Sequence, residues 1–322
     1  MASFKQQKHK DLIDERYKGV AQVWVESTSD QKLLAEYLFP GEGEHMEFCP
    51  ADGGAQGGGG CAAVIKEVKR AREDKLLAYG LVDRDVVWRL GADRQASMDV
   101  FLQPDEATFR DALDALDVPR HVRVLGAWEI ESYLMIRHEV LLREHRACGN
   151  TKLTLAELHQ SLQELVELLI PDTAVRALCH IKGFSTFSRG HERSLNTRQS
   201  LRDAARAHFQ REHQRCFGAP MTDEEWEQAM DTLEERVRRF DEGEADPERW
   251  WRKIARALDA KVLLKRFSAS LKPKRKDSPG PEDLEELRYR LAQTFFDLSA
   301  TNAALIDDEL RGHIESFRPR AA

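Results

Sequence analysis

The chain has 322 residues and a net charge of −7, with 33% charged and 41% hydrophobic residues. That is the composition of a globular protein rich in surface helices, and it excludes fibrous, low-complexity and membrane-spanning classes. No apolar run approaches the length that crosses a bilayer, and the opening MASFKQQKHKDLIDER reads as a polar, basic arm or exposed helix, not a signal peptide. Five scattered cysteines, Cys49, Cys61, Cys148, Cys179 and Cys216, form no C-x-x-C pair. Reduced thiols in the cytoplasm are therefore expected, and neither a disulfide framework nor a cysteine-type zinc site.

Residues 20–30 (VAQVWVESTSD) combine a short β-branched and aromatic run with a carboxylate at its end, Glu26, and a second acid, Asp30. The run reads as a buried strand, followed by a helix over 31–39 that Ser29 caps. HMEFC (45–49) reads as a second strand, DGGAQGGGG (52–60) as a glycine-rich loop, and 61–72 as a helix. The third strand is LLAYGLV (76–82), leading at once into Asp83-Arg84-Asp85. Residues 99–103 suggest a short strand, Pro104-Asp105 open a helix through Leu116, and 121–127 read as another strand. Strands alternating with helices of this length predict a mostly parallel sheet covered on both faces.

From about Leu134 the pattern becomes helical. An amphipathic stretch over 155–170 is expected to end at Pro171, and Thr222 with Glu225 makes a capping box. Asp246-Pro247 open a helix carrying Trp250 and Trp251, a pair expected in the core. KPKRKDSPGP (272–281) reads as a linker, with a last helix over 282–298. The expected division is 1–136 for the α/β part and 137–322 for an all-helical part that serves docking, dimerisation or substrate binding.

Three acidic stations fall in the α/β part: Glu26 with Asp30, Asp83 with Asp85, and Glu129 with Glu131. In an extended D-x-D both carboxylates project to one side, because strand side chains alternate, and the same spacing relates Glu129 to Glu131. Clustered carboxylates at the ends of strands repel one another unless a cation neutralises them. Hard oxygen donors suit Mg²⁺ or Mn²⁺, which can position a phosphodiester and activate water. Taken singly, each acid has a plainer explanation as a turn former or a first-turn helix acid. The coincidence of three strand ends is what points to chemistry.

Other motifs weigh less. The glycine-rich loop lacks the G-K-[ST] ending of a phosphate-binding Walker loop. His208, His213 and Cys216 fit no zinc spacing closely. A tract over 182–215 contains Lys182, Arg189, Arg193, Arg198, Arg202, Arg206, Arg211 and Arg215 against only Glu192, Asp203 and Glu212. It is a candidate phosphate-binding surface or, at least as readily, a solvated helix face paired with acids elsewhere.

V-x-V-E26-x-x-x-D30, L-V-D83-x-D85 and I-E131-x-Y133-L134 together resemble the TOPRIM fold of OLD-type nucleases over about residues 20–135. The closest likeness is to stand-alone TOPRIM-like proteins encoded beside an ABC-type ATPase, the toxin subunits of PARIS-type anti-phage systems. The resemblance implies that Glu26 is the catalytic acid/base near a metal, that Asp83 and Asp85 hold a divalent cation, and that Asp30 and Glu131 complete a two-metal site. Where the family often has Gly after the Glu, this chain has Ser27. Lys261 resembles a late family lysine in a G-K-x-L-L run, with Ala260 replacing the Gly; a solvated lysine on an amphipathic helix is its plainer reading. The resemblance further implies a nuclease held inactive by the ATPase, released when a phage protein is sensed, and cutting host tRNA, with a homodimer as the active form. A non-catalytic module docking on the ATPase and an OLD-type DNA nuclease are the alternatives; a TOPRIM primase or topoisomerase relative fits less well.

Overall fold

The computed structural model describes residues 20–52, 60–116, 118–190, 192–271, 284–300 and 305–319. The basic arm before Val20, most of the glycine-rich loop and the linker at 272–281 lie outside these residues. The described residues within Met1–Val86, Val118–Leu125 and Phe295–Ala322 form one compact unit, and those within Val87–Asp117 and Gly126–Thr294 form another. No helix among the described residues is long and apolar enough to cross a membrane.

The first unit is built on four parallel strands, β1 (Ala21–Val25), β2 (Met46–Pro50), β3 (Ala78–Val82) and β4 (Val122–Val124), in the order β2-β1-β3-β4. The α/β class and the parallel sheet are therefore as the sequence predicts. Ala21, Val23 and Val25 are buried and alternate with the part-exposed Gln22 and Trp24, so β1 follows the period-two rule of a pleated strand. After β1 the chain enters α1 (Thr28–Lys32), which widens into a π-helical turn over Leu33–Leu38 and buries Leu33, Leu34 and Leu38. The cap is Ser27, whose side chain accepts the Asp30 N–H, and not Ser29; the helix begins one turn earlier than its apolar stripe suggests.

Helix α2 (Cys61–Glu73) packs its Val64 and Val68 face on the sheet. The contact is closest over Gly80 of β3. A Cβ there would lie 2.9 Å from Val64 Cγ1 and 3.2 Å from both Val68 Cγ2 and Val122 Cγ2. β3 then ends in a 3-10 turn, Arg84–Val86.

The second unit begins with α3 (Val87–Leu90), α4 (Arg94–Phe101) and α5 (Glu106–Asp114). Residues 99–103, expected as a strand, belong instead largely to α4, because Asp93 caps its start by accepting the Gln95 and Ala96 N–H groups. After β4 come α6 (Ser132–Met135), α7 (His138–Ala147), α8 (Leu155–Lys182), α9 (Arg198–Phe217), α10 (Asp223–Arg238), α11 (Pro247–Ala255), α12 (Ala260–Ser270) and α13 (Leu284–Ser299). The final helix, α14 (Asp308–Phe317), returns to the first unit and was not foreseen from sequence.

Helix α8 is the axis of the second unit, with α9, α10 and α11 packed on it. It starts in a capping box between Thr154 and Glu157 and ends at Gly183 in the left-handed conformation (φ 70°). It does not stop at Pro171. The segment around that proline is buried on all sides, from Leu169 to Val175, so tertiary packing outweighs the lost N–H. Behind the proline lies a buried charge set. Arg176 donates to Asp172 (2.9 Å) and to Asp259 (2.7 Å), the N-cap of α12. Gly190 sits directly over the Asp172 carboxylate, where a Cβ would collide with Oδ1. Burial pushes the Asp172 carboxyl up to about 6 against the pull of Arg176.

Two outcomes are expected. Gly80→Ala should cost about 1–3 kcal/mol through overpacking between α2 and the sheet, seen as a lower urea midpoint at unchanged slope. Asp172 binds its proton more tightly folded than unfolded, where the ordinary value is 3.8. Acidification from pH 7 through 6 toward 4 should therefore add stability, and raising the pH should remove it, on the order of 3 kcal/mol for a shift of this size. Asp172→Asn has no such proton, so the pH profile of wild-type stability minus that of the variant should carry this slope.

Candidate active site at the strand ends

In parallel β1 and β3, Trp24 lies opposite Gly80, so Glu26 and Asp83 leave the sheet at the same, carboxyl-terminal edge. They meet there: the Asp83 N–H donates to Glu26 Oε1 at 3.1 Å. The other oxygen, Oε2, lies beside Gly60 at the start of α2, 3.6 Å from where a Cβ would stand. Gly60 has φ +98°, a conformation that favours glycine. The Glu26 carboxylate thus sits between the end of a neighbouring strand and the first turn of a helix, where oriented backbone dipoles favour negative charge. Open parallel sheets place their ligands at this edge.

Asp83 and Asp85 do not form the extended pair that their spacing suggests. The Val86 N–H bonds back to the Asp83 carbonyl at 3.2 Å, and Arg84–Val86 turn as a 3-10 helix. Strand alternation therefore does not relate the two carboxylates, although both remain partly exposed while Arg84 between them is buried.

Asp30 is held by its own helix cap. Ser27 Oγ donates to Asp30 Oδ2 at 2.7 Å and accepts the Asp30 N–H at 3.2 Å. Ser27 therefore has a local task that glycine could not perform. Asp52 was missed. It follows β2, the strand on the other side of β1, and accepts the Thr28 N–H at 3.0 Å and the Thr28 hydroxyl at 3.1 Å. Its signal was its place two residues beyond an apolar run, the type of position that drew attention to Glu26 and Asp83.

The remaining predicted residues belong to the helical unit. Residues 126–131 are bends and turns, and β4 is shorter than the expected 121–127. The extended relation between Glu129 and Glu131 does not arise. Glu131 is buried and ion-paired with Arg288 of α13 at 3.3 Å. Glu129 accepts both the Lys261 N–H (3.1 Å) and its ammonium (2.6 Å) at the first turn of α12. Burial, reinforced by Asp259 and Glu131, pushes Glu129 up to about 8 in spite of Lys261. Lys261 is thus an exposed partner of a buried acid, and its ammonium is already engaged.

Five arginines of the basic tract form ion pairs. Arg198 pairs with Glu234, Arg202 with Glu227 and Asp231, Arg206 with Asp223, Arg189 with Glu192 and Arg215 with Glu212. Most of these acids lie on α10, so the tract is largely a seam between two helices. His208 bonds the Ser185 carbonyl and His213 the Ala219 carbonyl. Trp251 is buried and donates to the Met135 carbonyl at 2.7 Å.

Among the described residues no group of three or more His, Cys, Asp or Glu side chains is arranged to hold a metal ion. The donor chemistry at the β1 and β3 ends nonetheless suits Mg²⁺, which retains several waters and binds through one or two carboxylates plus substrate phosphate. A cavity of about 730 Å³ lies at the opposite, amino-terminal edge of the sheet, lined by Phe39, Met46, Phe48 and Leu76 among others. It is apart from these carboxylates. No family model, no curated protein and no solved structure matches the chain.

Proposed function

We propose that this chain is a metal-dependent phosphodiesterase that cuts nucleic acid, with Glu26, Asp83 and Asp85 as its reactive carboxylates. The observation that carries the reading is the meeting of Glu26 with Asp83 across adjacent parallel strands. Two separate apolar runs end in acids at one sheet edge, where no folding requirement asks for charge.

In this reading Glu26 takes the proton from the attacking water or hydroxyl. Its Oε1 stays fixed on the Asp83 N–H, which holds the carboxyl group while the proton moves. Gly60, lacking a side chain, leaves room beside Oε2 for a phosphate. Asp83 and Asp85 would hold the cation, Mg²⁺ or Mn²⁺, which would neutralise charge on the phosphoryl oxygens and acidify bound water. Asp30 and Glu131 stand outside this set, because Ser27 ties the one and Arg288 pairs with the other. Lys261 stands outside it through its bond to Glu129. The sequence likeness to TOPRIM-type toxin subunits extends the proposal: the substrate is tRNA, an ABC-type ATPase restrains the chain until a phage protein is sensed, and the cutting form is a homodimer.

A second reading, a non-catalytic module docking on that ATPase, is favoured by one fact. In the helical unit the acids singled out from sequence are each bonded to a cation, Glu129 to Lys261 and Glu131 to Arg288.

The test is to incubate the full chain with total cellular RNA and with plasmid DNA, with and without Mg²⁺, and to map the ends. Glu26→Gln should lower cleavage by about 10²–10⁴-fold, the range for a general acid or base, at an unchanged melting temperature. Asp83→Asn with Asp85→Asn should abolish the Mg²⁺ dependence of both cleavage and melting. Cleavage by Glu26→Gln at the wild-type rate would remove its assigned role, and no cleavage with no Mg²⁺-dependent melting would leave the docking module.

A further inference from the structure

Around the amino-terminal edge of β3 and β4 lies a group of cations that the proposed reaction does not use. His121 immediately precedes β4, and its carbonyl accepts the Gly80 N–H at 2.9 Å in the β3–β4 ladder. Arg120 Nε donates to His121 Nε2 at 3.2 Å, and Arg123 Nη1 donates to the Arg120 carbonyl at 2.9 Å. From α2, Arg72 donates its Nε to the Ala78 carbonyl at 2.7 Å and lays its guanidinium over the Tyr79 ring, 5.0 Å from the centroid. Tyr79 is backed by the buried Phe317 of α14 at 5.0 Å and meets His121 edge-on at 6.3 Å. The Tyr79–Phe317 stack thus carries the Arg72 guanidinium and meets His121, beside which Arg120 and Arg123 lie.

What sets the group apart is the missing acid. Among the described residues none of the three arginines forms an ion pair, whereas Arg198, Arg202 and Arg206 of α9 are bound to carboxylates of α10. The charges that act on His121 are those of Arg72, Arg120 and Arg123, and with burial they hold its pKa below the ordinary 6.5. The groups that act on it or touch it are Arg72 of α2, Tyr79 of β3, Arg120 and Arg123, with no carboxylate among them. The acceptor role of Nε2 toward Arg120 requires the neutral ring. In a chain of net charge −7, three co-localised guanidiniums with no ion pair among the described residues suit an external anion. Planar guanidinium forks match phosphate oxygens in pairs.

We propose that Arg120 and Arg123, with Arg72 behind them, bind the phosphate backbone of a nucleic acid at a point remote from the cut. The proposal rests on the phosphodiesterase reading for its ligand class and deepens it. The Arg123 backbone lies opposite Leu81, two residues before Asp83, but its guanidinium turns back to the Arg120 carbonyl. From that edge to the carboxylates is the length of β3, five residues or about 17 Å at 3.3 Å per residue. That is roughly five nucleotides of axial rise. A strand lying along the exposed side of β4 would touch cations at one end and carboxylates at the other. The Tyr79 ring is covered by Arg72 and Phe317, so the patch grips backbone and does not read bases.

The experiment uses the full chain carrying Glu26→Gln, in chelator, so that binding is measured without cutting. Affinity for a folded RNA and a DNA duplex is followed against salt concentration, with and without Arg120→Ala/Arg123→Ala. The double variant should weaken binding at least tenfold near 0.1 M salt and reduce the slope of log K against log salt by about 2, one for each phosphate no longer neutralised. A charge-matched control, Arg215→Ala/Arg239→Ala, removes two arginines paired with acids on their own helices and should leave the slope unchanged. As a second readout, bound oligonucleotide should raise the pH at which the His121 ring titrates by NMR, because the anion offsets the guanidiniums. An unchanged slope in the double variant at wild-type melting temperature would overturn the proposal, as would binding to anionic lipid vesicles in place of nucleic acid. If wild type binds through this patch yet never cleaves, the patch stands and the catalytic reading falls.

Discussion

The bond from the Asp83 backbone to Glu26 Oε1 joins the exits of β1 and β3, and much of the first unit can be understood as what keeps that bond in place. Its two strands must be neighbours and parallel, with their ends level. The β1–β3 register supplies the alignment, and Gly80 lets α2 approach closely enough to bring Gly60 beside the same carboxylate. The side-chain-free positions on β3 and at the start of α2 are therefore linked. One sets the height of the helix on the sheet, and the other opens the space that this height creates. A bulkier residue at Gly80 would be felt at the carboxylate without touching it.

The second unit solves a different problem with the same residue types. Several of its acids, Asp172, Asp259, Glu129 and Glu131, are buried against arginine or lysine instead of facing solvent. Arg176 bridges Asp172 in the middle of α8 to the Asp259 cap of α12, and Arg266 binds the Gly190 and Leu195 carbonyls. Buried pairs of this kind contribute little net stability, yet removing one partner is costly because the other is left charged and dry. They fix which helices meet. The raised pKa values of Asp172 and Glu129 are the consequence of that arrangement, since burial acts on each of them more strongly than its cation does.

The sheet was legible because its signals are local. Val23, Trp24 and Val25 mark β1, and the apolar runs before Cys49 and Asp83 mark β2 and β3, each followed by an acid. Geometry past the strand ends was not legible. Spacing alone puts the two carboxylates of D-x-D on one side only if the chain stays extended, and here it turns at Asp83. The same failure recurs at Glu129 and Glu131. Residues 99–103 carried β-formers in a window too short to show the helical period of Ser97, Met98 and Phe101, all buried on one side of α4. Pro171 broke the pattern without breaking the helix. Its neighbours' burial is a tertiary fact, and no local propensity contains it. The partners of Lys261 and Arg288 were equally out of reach, since each pair joins positions far apart in sequence.

Charge balance along the chain also misled in an instructive way. The densest basic stretch, 182–215, drew attention as a phosphate surface, yet the acids of α10 take up Arg198, Arg202 and Arg206, and Glu192 and Glu212 take up Arg189 and Arg215. Arg72, Arg120 and Arg123 are scattered in sequence and unremarkable in any window. The fold gathers them on the β3–β4 edge, and none of them is ion-paired among the described residues. Attraction for a polyanion depends on the charge left over after internal pairing, because a guanidinium already bound to a carboxylate must give up that partner first. A dense run of arginines on a helix facing an acidic helix is electrically quiet. A sparse trio around a neutral histidine is not, and that residual field is the quantity by which a nucleic-acid surface on this chain is to be found.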